Sequence, residues 1–194
     1  MADPIIIVAG LGRCGSSLVM QMHSAAGVPT IGTYPAFEDN VNLRLPDLDA
    51  QREVATRAPG HAMKLIDPHL HAPPVGYEYR TIFLTRHPVE QAKSMLKLVG
   101  ERNNRNARRA METIVRRDTA IARDAVTRIG TGQFYNMPFE HLIHDTLGAA
   151  AGIAHYLHRW GKTPLDVEAM AKCVRRRPAT CLPYMLELEL LSHA

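Results

Sequence analysis

Apolar residues fall along this chain in two rhythms. The first is the short unbroken run: "PIIIVA" from Pro4 to Ala9, "HAMKLIDP" ending at Pro68, "RTIFLT" from Arg80 to Thr85, and "QFYNMP" from Gln133 to Pro138. Runs of this kind, bounded by glycine, proline or charge, predict strands. The continuous β-branched run at the start predicts a strand buried on both faces, as in a parallel sheet. Val28–Ile31 is a shorter candidate strand. The second rhythm is helical. It covers Ser16 to Ala26, where Gly27 stops it, and "VEQAKSMLKLVG", where Pro88 suits a first turn. In Glu101–Arg128 and the residue that follows, Met111, Ile114, Val115, Ile121, Ala125, Val126 and Ile129 recur at helical spacing after a polar start. "FEHLIHDTLGAAAGIAHYLHRWG" reads as a helix in two pieces, and Asn40–Arg57 as loop plus helix. "HLHAPPVG" is a proline-rich loop. Strands alternating with helices predict an α/β protein, a wound three-layer fold around a central, mainly parallel sheet. No internal repeat interrupts that order.

The chain has 194 residues, 46% hydrophobic and 22% charged, which predicts one domain over 1–194. The net charge of +4 is mild and suits an anionic ligand as well as it suits nucleic acid, which is not the partner expected for the chain as a whole. Residues 101–128 hold eight arginines against four acids, a local excess equal to that of the whole chain. Segment 101–130 is therefore expected to be an arginine-rich helical insertion or lid, with a solvated charged face as the plainer alternative. Cys14, Cys173 and Cys181 are odd in number and scattered, which fits a reducing compartment rather than a disulfide framework. No apolar run approaches the roughly 18 residues of a membrane span. No basic region precedes the first apolar run, so a soluble cytoplasmic protein is expected. His69 and His71 lack any supporting carboxylate–histidine helix motif, so no metal is expected.

The stretch "GLGRCGSSLV" carries the chemistry. A strand, a glycine-rich turn and a helix start combine backbone N–H groups with the positive end of a helix dipole, which together favour an anion. Gly10 and Gly15 have the spacing of the nucleotide-binding P-loop, and Ser17 matches its final hydroxyl. Ser16 stands where that motif has lysine, and the nearest cation within the loop is Arg13.

At these residues the sequence resembles the sulfotransferases that use 3′-phosphoadenylyl sulfate (PAPS), whose fold is of the P-loop NTPase type. "RCGSS", Arg13 to Ser17, matches their first signature with cysteine in place of a serine. The resemblance implies that Gly12, Arg13, Cys14, Gly15, Ser16 and Ser17 hold the 5′-phosphosulfate, with Arg13 on the leaving phosphate. "LTRHPVEQAKSML" matches the second signature, with Arg86, Pro88 and Ser94 at its spacing. It implies that Arg86 and Ser94 grip the 3′-phosphate. "MPFEHLIHDTLGAAAGIAHYL" resembles a third stretch, where Phe139, Glu140 and Leu142 match and His141 departs. These residues are expected to support the fold more than to touch ligand.

The same resemblance implies metal-free, in-line transfer of a sulfuryl group from PAPS to a hydroxyl or amine of a small-molecule or glycan acceptor, leaving adenosine 3′,5′-bisphosphate. By analogy with phosphoryl transfer, positioning and electrostatics supply the catalysis. Arg13 and Lys64 are the expected catalytic cations. Glu38 and His69 are the candidate general bases, Glu38 favoured slightly. One of Arg175 to Arg177, named here as Arg176, is a candidate for the 3′-phosphate. Two other functions stay open. One is a P-loop small-molecule kinase using ATP and magnesium, with "KLID" as its metal-holding strand end and Ser16 counting against it. The other is a non-catalytic nucleotide or polyanion binder using the arginine-rich helix.

Overall fold

Ile5–Gly10 form β1, whose six residues are all buried. Ile5, Ile7 and Ala9 enter one apolar cluster, while Ile6 and Val8 enter another. A strand that feeds two cores must lie between two helical layers, as its unbroken apolar pattern predicts. The computed structural model describes residues 3–39, 47–101, 104–158 and 164–174. Within them β2 (Ala62–Ile66), β3 (Tyr79–Thr85) and β4 (Phe134–Pro138) complete an all-parallel sheet in the order β2-β1-β3-β4. The predicted strand at Val28–Ile31 is not one. Only Thr30 makes a bridge, to Ala62. Pro29 has no N–H to offer a ladder, and Gly32, at φ +92°, turns the chain away.

Seven helices flank the sheet among the described residues. They are α1 (Ser16–Ala25), α2 (Leu48–Arg57), α3 (Pro88–Leu98), α4 (Arg105–Val126), α5 (Phe139–His144), α6 (Thr146–His158) and α7 (Val167–Lys172). Side chains of Asp47, Asn104 and Asp166 accept N–H groups from the first turns of α2, α4 and α7. One face of the sheet is covered by Ala50 and Val54 of α2, Ala92 of α3, and Val115, Ala122 and Val126 of α4. The other is covered by Val19, Met20 and Met22 of α1, Leu142 of α5, Ile153 and Leu157 of α6, and Met170 of α7. These are the three layers of a wound α/β fold. No described helix is long and apolar enough to cross a membrane.

The strand order places the site. From β1 the chain moves to β2 on one side, then crosses back to β3 and on to β4 on the other. Connections leave β1 and β3 in opposite directions, and that divergence opens a crevice at their carboxyl ends. Helix α4 runs beside it. Its C-terminal part packs on the sheet, with the Arg123 guanidinium 5.9 Å from the Phe83 ring centroid and Gly130 against Tyr79. Asp118, one to two turns earlier, lies within electrostatic range of Asp67 at the end of β2. The turns before Asp118 therefore extend on the crevice side, by roughly 20 Å back to Arg105 at 1.5 Å per residue.

One histidine is fully enclosed. His23 of α1 has no exposed surface; its Nδ1 lies 2.7 Å from the Val19 carbonyl oxygen, and its Nε2 meets no partner among the described residues. Burial pushes this imidazole below the ordinary value of 6.5, against the smaller opposing effect of the Val19 carbonyl. Below that value the unfolded chain takes up a proton that the folded one refuses. Stability from this group is thus complete above pH 6.5 and is lost as pH falls beneath it. Denaturant midpoints at pH 7 and pH 5 are expected to differ less in His23→Met than in the parent.

Candidate anion-binding site

Between β1 and α1 the backbone makes a bend whose carbonyls are tied from outside. The Gly10 carbonyl accepts the Asp67 N–H at 2.9 Å, and that of Gly12 accepts Gln91 Nε2 at 2.7 Å. The Arg13 carbonyl accepts Arg86 Nη1 at 3.0 Å, and that of Gly15 accepts the Val19 N–H at 3.2 Å. β2, β3, α3 and α1 each hold one carbonyl. The bend itself needs positive φ at Arg13 (+67°) and Gly15 (+98°). Gly15 has a second reason to lack a side chain, because a Cβ there would run into the Phe139 ring. As the N-cap of α1 it also supplies no capping oxygen, so the first-turn N–H groups of α1 stay available to a ligand. Ser16 and Ser17, in that turn, are buried.

Three cations surround this bend. Arg13 Nε donates to Ser94 Oγ of α3 at 2.9 Å. Arg86, at the end of β3, braces the Arg13 carbonyl and lies 4.6 Å over the Phe139 ring. Lys64, only 5% exposed, comes up from β2, where Nζ donates to Ser17 Oγ at 3.1 Å and to the Ala36 carbonyl at 2.8 Å. The Glu38 carboxylate, largely exposed, accepts from the same ammonium at 3.4 Å. The structure thus brings Gly12, Arg13, Cys14, Gly15, Ser16, Ser17, Lys64, Arg86, Ser94 and Glu38 to one end of the sheet. His69 lies on the same edge, in the loop after β2, and with His71 it is within electrostatic range of Asp67. Arg176 falls outside the described residues. No group of three or more His, Cys, Asp or Glu side chains suited to a metal occurs among the described residues.

Four contributors are not singled out in the sequence for the parts they take. Gln91, 2% exposed, holds the Gly12 carbonyl; a buried amide on the first turn of α3 is a signal, but its partner lies 79 positions away. Phe139 fills the space under Gly15, and Glu140 accepts the His87 N–H at 2.7 Å, so the β4–α5 corner fixes both the bend and the start of α3. Asp67, legible only as the last letter of "KLID", has φ +52° and sets its carboxyl near the Gly12 N–H. Burial raises its pKa above the ordinary value, offset in part by that N–H and by the two histidines.

Solved structures share this fold. The sulfotransferase domain of the Synechococcus PCC 7002 olefin synthase superposes with a TM-score of 0.59 at 16% identity, over 98% of this chain and 87% of that one. The fold is the sulfotransferase fold. Sulfotransferase STF1 from Mycobacterium tuberculosis H37Rv gives 0.56 at 14% identity, over 97% and 76% of the two chains. STF9 from Mycobacterium avium gives 0.55 at 15%, over 100% and 75%. No protein-family model and no curated protein sequence matches the chain. Within the sulfotransferase fold, which is of the P-loop NTPase type, the glycine bend occupies the place where the strand order opens its crevice.

Replacing Gln91 by leucine leaves the Gly12 carbonyl without its buried partner. Denaturant unfolding of Gln91→Leu is expected to show a loss of about 1–3 kcal/mol.

Proposed function

We propose that the protein is a PAPS-dependent sulfotransferase. The observation that carries this reading is the pair of contacts joining two separate anion subsites: Arg13 Nε to Ser94 Oγ, and Arg86 Nη1 to the Arg13 carbonyl. A nucleotide with phosphates at both 5′ and 3′ positions needs two such subsites side by side. The bend with the first-turn N–H groups of α1 makes one, and Arg86 with Ser94 makes the other. The fit is supported by a bend that admits no side chain at Gly15 and by donors that converge from β2, β3 and α3. Ser16 in the lysine position of a nucleoside-triphosphate loop favours this reading over a kinase.

When bound, PAPS would supply an activated sulfuryl group whose departure leaves charge on the 5′-phosphate. Arg13 and the α1 N–H groups would hold that phosphate and offset the charge. Lys64, fixed under the bend by Ser17 and Ala36, would add fixed positive potential and orient the Ser17 hydroxyl. Glu38, beside Lys64, and His69, beside Asp67, lie on the β2 side of the bend, where an acceptor hydroxyl or amine of a small molecule or glycan would arrive. The reading assigns no metal a role and places the enzyme in the cytoplasm.

Calorimetry tests it. Adenosine 3′,5′-bisphosphate is expected to bind without magnesium, and magnesium-dependent ATP binding in its place would favour a kinase. Arg86→Ala removes a charge-assisted contact worth about 1.5–3 kcal/mol. It is therefore expected to weaken the bisphosphate by about 10- to 100-fold and adenosine 5′-monophosphate far less; equal losses would defeat the assignment of Arg86 to the 3′-phosphate.

A further inference from the structure

Helix α3 reaches the bend twice from one face. Ser94 Oγ accepts Arg13 Nε at 2.9 Å, and three residues earlier Gln91 Nε2 donates to the Gly12 carbonyl at 2.7 Å. Positions three apart on a helix are neighbours on its surface. The first contact joins the side chains of the two phosphate subsites, whereas the second touches backbone alone. Gln91 is nevertheless as enclosed as the core residues Ala92 and Leu96 that follow it on α3. Its effect on the site follows from the peptide it holds. The Gly12 carbonyl and the Arg13 N–H belong to one planar trans peptide and point in opposite directions. A Gly12 carbonyl tied to α3 therefore turns the Arg13 N–H away from α3. Arg13 and Gly15 have positive φ and Cys14 between them does not, an alternation of hand that draws successive N–H groups toward one point. The Arg13 N–H is the first of that series.

Resting on the sulfotransferase reading, we propose that Gln91 is the positioning residue of the 5′-phosphosulfate subsite: its hydrogen bond to Gly12 aims the Arg13 N–H at the anion. Gln91 itself touches no ligand. It acts through one peptide, and it does so from the helix that also carries Ser94 of the 3′-phosphate subsite. A single rigid element, started at Pro88 and held at its head by the bond from the His87 N–H to Glu140, thus sets both subsites and the span between them. Arg86 braces the next carbonyl of the bend, that of Arg13, but it is only half-buried, so water can take over that carbonyl when the guanidinium is removed. Gln91 is enclosed, and its loss leaves the Gly12–Arg13 peptide free to turn.

Adenosine 5′-monophosphate and adenosine 3′-monophosphate separate the two subsites, and calorimetry on the full chain reads each. Gln91→Met and Gln91→Leu both lack the donor but differ in shape, so a loss common to both belongs to the hydrogen bond rather than to packing. Each is expected to bind the 5′-monophosphate about tenfold more weakly, the worth of one ordinary hydrogen bond, and the 3′-monophosphate within about twofold of the parent. Amide NMR supplies a readout that a loss of stability alone does not move. In the parent, saturation with the 5′-monophosphate is expected to shift the Arg13 amide proton downfield. In both variants, at saturation, that shift is expected to vanish while the Ser16 and Ser17 amide protons still move. Parent-like affinity for the 5′-monophosphate in the two variants overturns the assignment, even where stability falls, and leaves the sulfotransferase reading intact. Equal losses for the two monophosphates also overturn it, because they mark a general loosening of the site. A parent that binds neither monophosphate nor the bisphosphate overturns the sulfotransferase reading, and the assignment falls with it.

Discussion

An anion can be held by backbone N–H groups only if the carbonyls of the same peptides are occupied elsewhere. That constraint organises this molecule. In the bend after β1, Asp67, Gln91, Arg86 and the first turn of α1 each take one carbonyl. The tethers come from two strand ends and two helices, so the bend owes its shape to the assembled sheet rather than to its own sequence. Phe139 closes it from below at Gly15. A loop built this way has its electrostatics fixed before any ligand arrives, which is the condition under which dipoles stabilise charge at little reorganisation cost.

The same end of the sheet divides by chemistry. Toward β3 and β4 stand Arg86, Ser94 and the Phe139 ring, a surface suited to phosphate and to the flat face of a guanidinium. Toward β2 stand Lys64, Glu38, Asp67 and the histidines of the following loop. Cations that brace the backbone lie on one side, and groups able to exchange a proton lie on the other. Lys64 belongs to both. It is a buried ammonium that stays satisfied by a hydroxyl, a carbonyl and a carboxylate at the rim, so its charge is kept without an isolated ion in the core.

Periodicity made most of the architecture legible. The unbroken run "IIIVA" marked the doubly buried strand, Gly27 and Pro88 marked helix ends, and two-piece helicity after Phe139 appears as α5 and α6. Val28–Ile31 misled because residue type resembles a strand there while Pro29 and Gly32 prevent a ladder. In the site, the spacing of Arg13 to Ser17 and of Arg86 to Ser94 was readable, since each lies within one strand–turn–helix unit. Gln91 and Phe139 were not, because their importance arises from partners 79 and 124 positions away. Asp67 was visible as a residue but not as a partner of Gly10; only the parallel pairing of β2 with β1 brings the two ends level.

Among the described residues the parallel order β2-β1-β3-β4 leaves no short-range hairpin in the sheet, so each of these strand pairings closes a long stretch of chain. The groups that surround the bend come from positions 64, 67, 86, 91, 94 and 139, so the full set is in place only when the last strand has docked. A half-assembled chain therefore holds an incomplete pocket. Any tightly held occupant selects the finished molecule alone and acts thermodynamically as one more piece of its core.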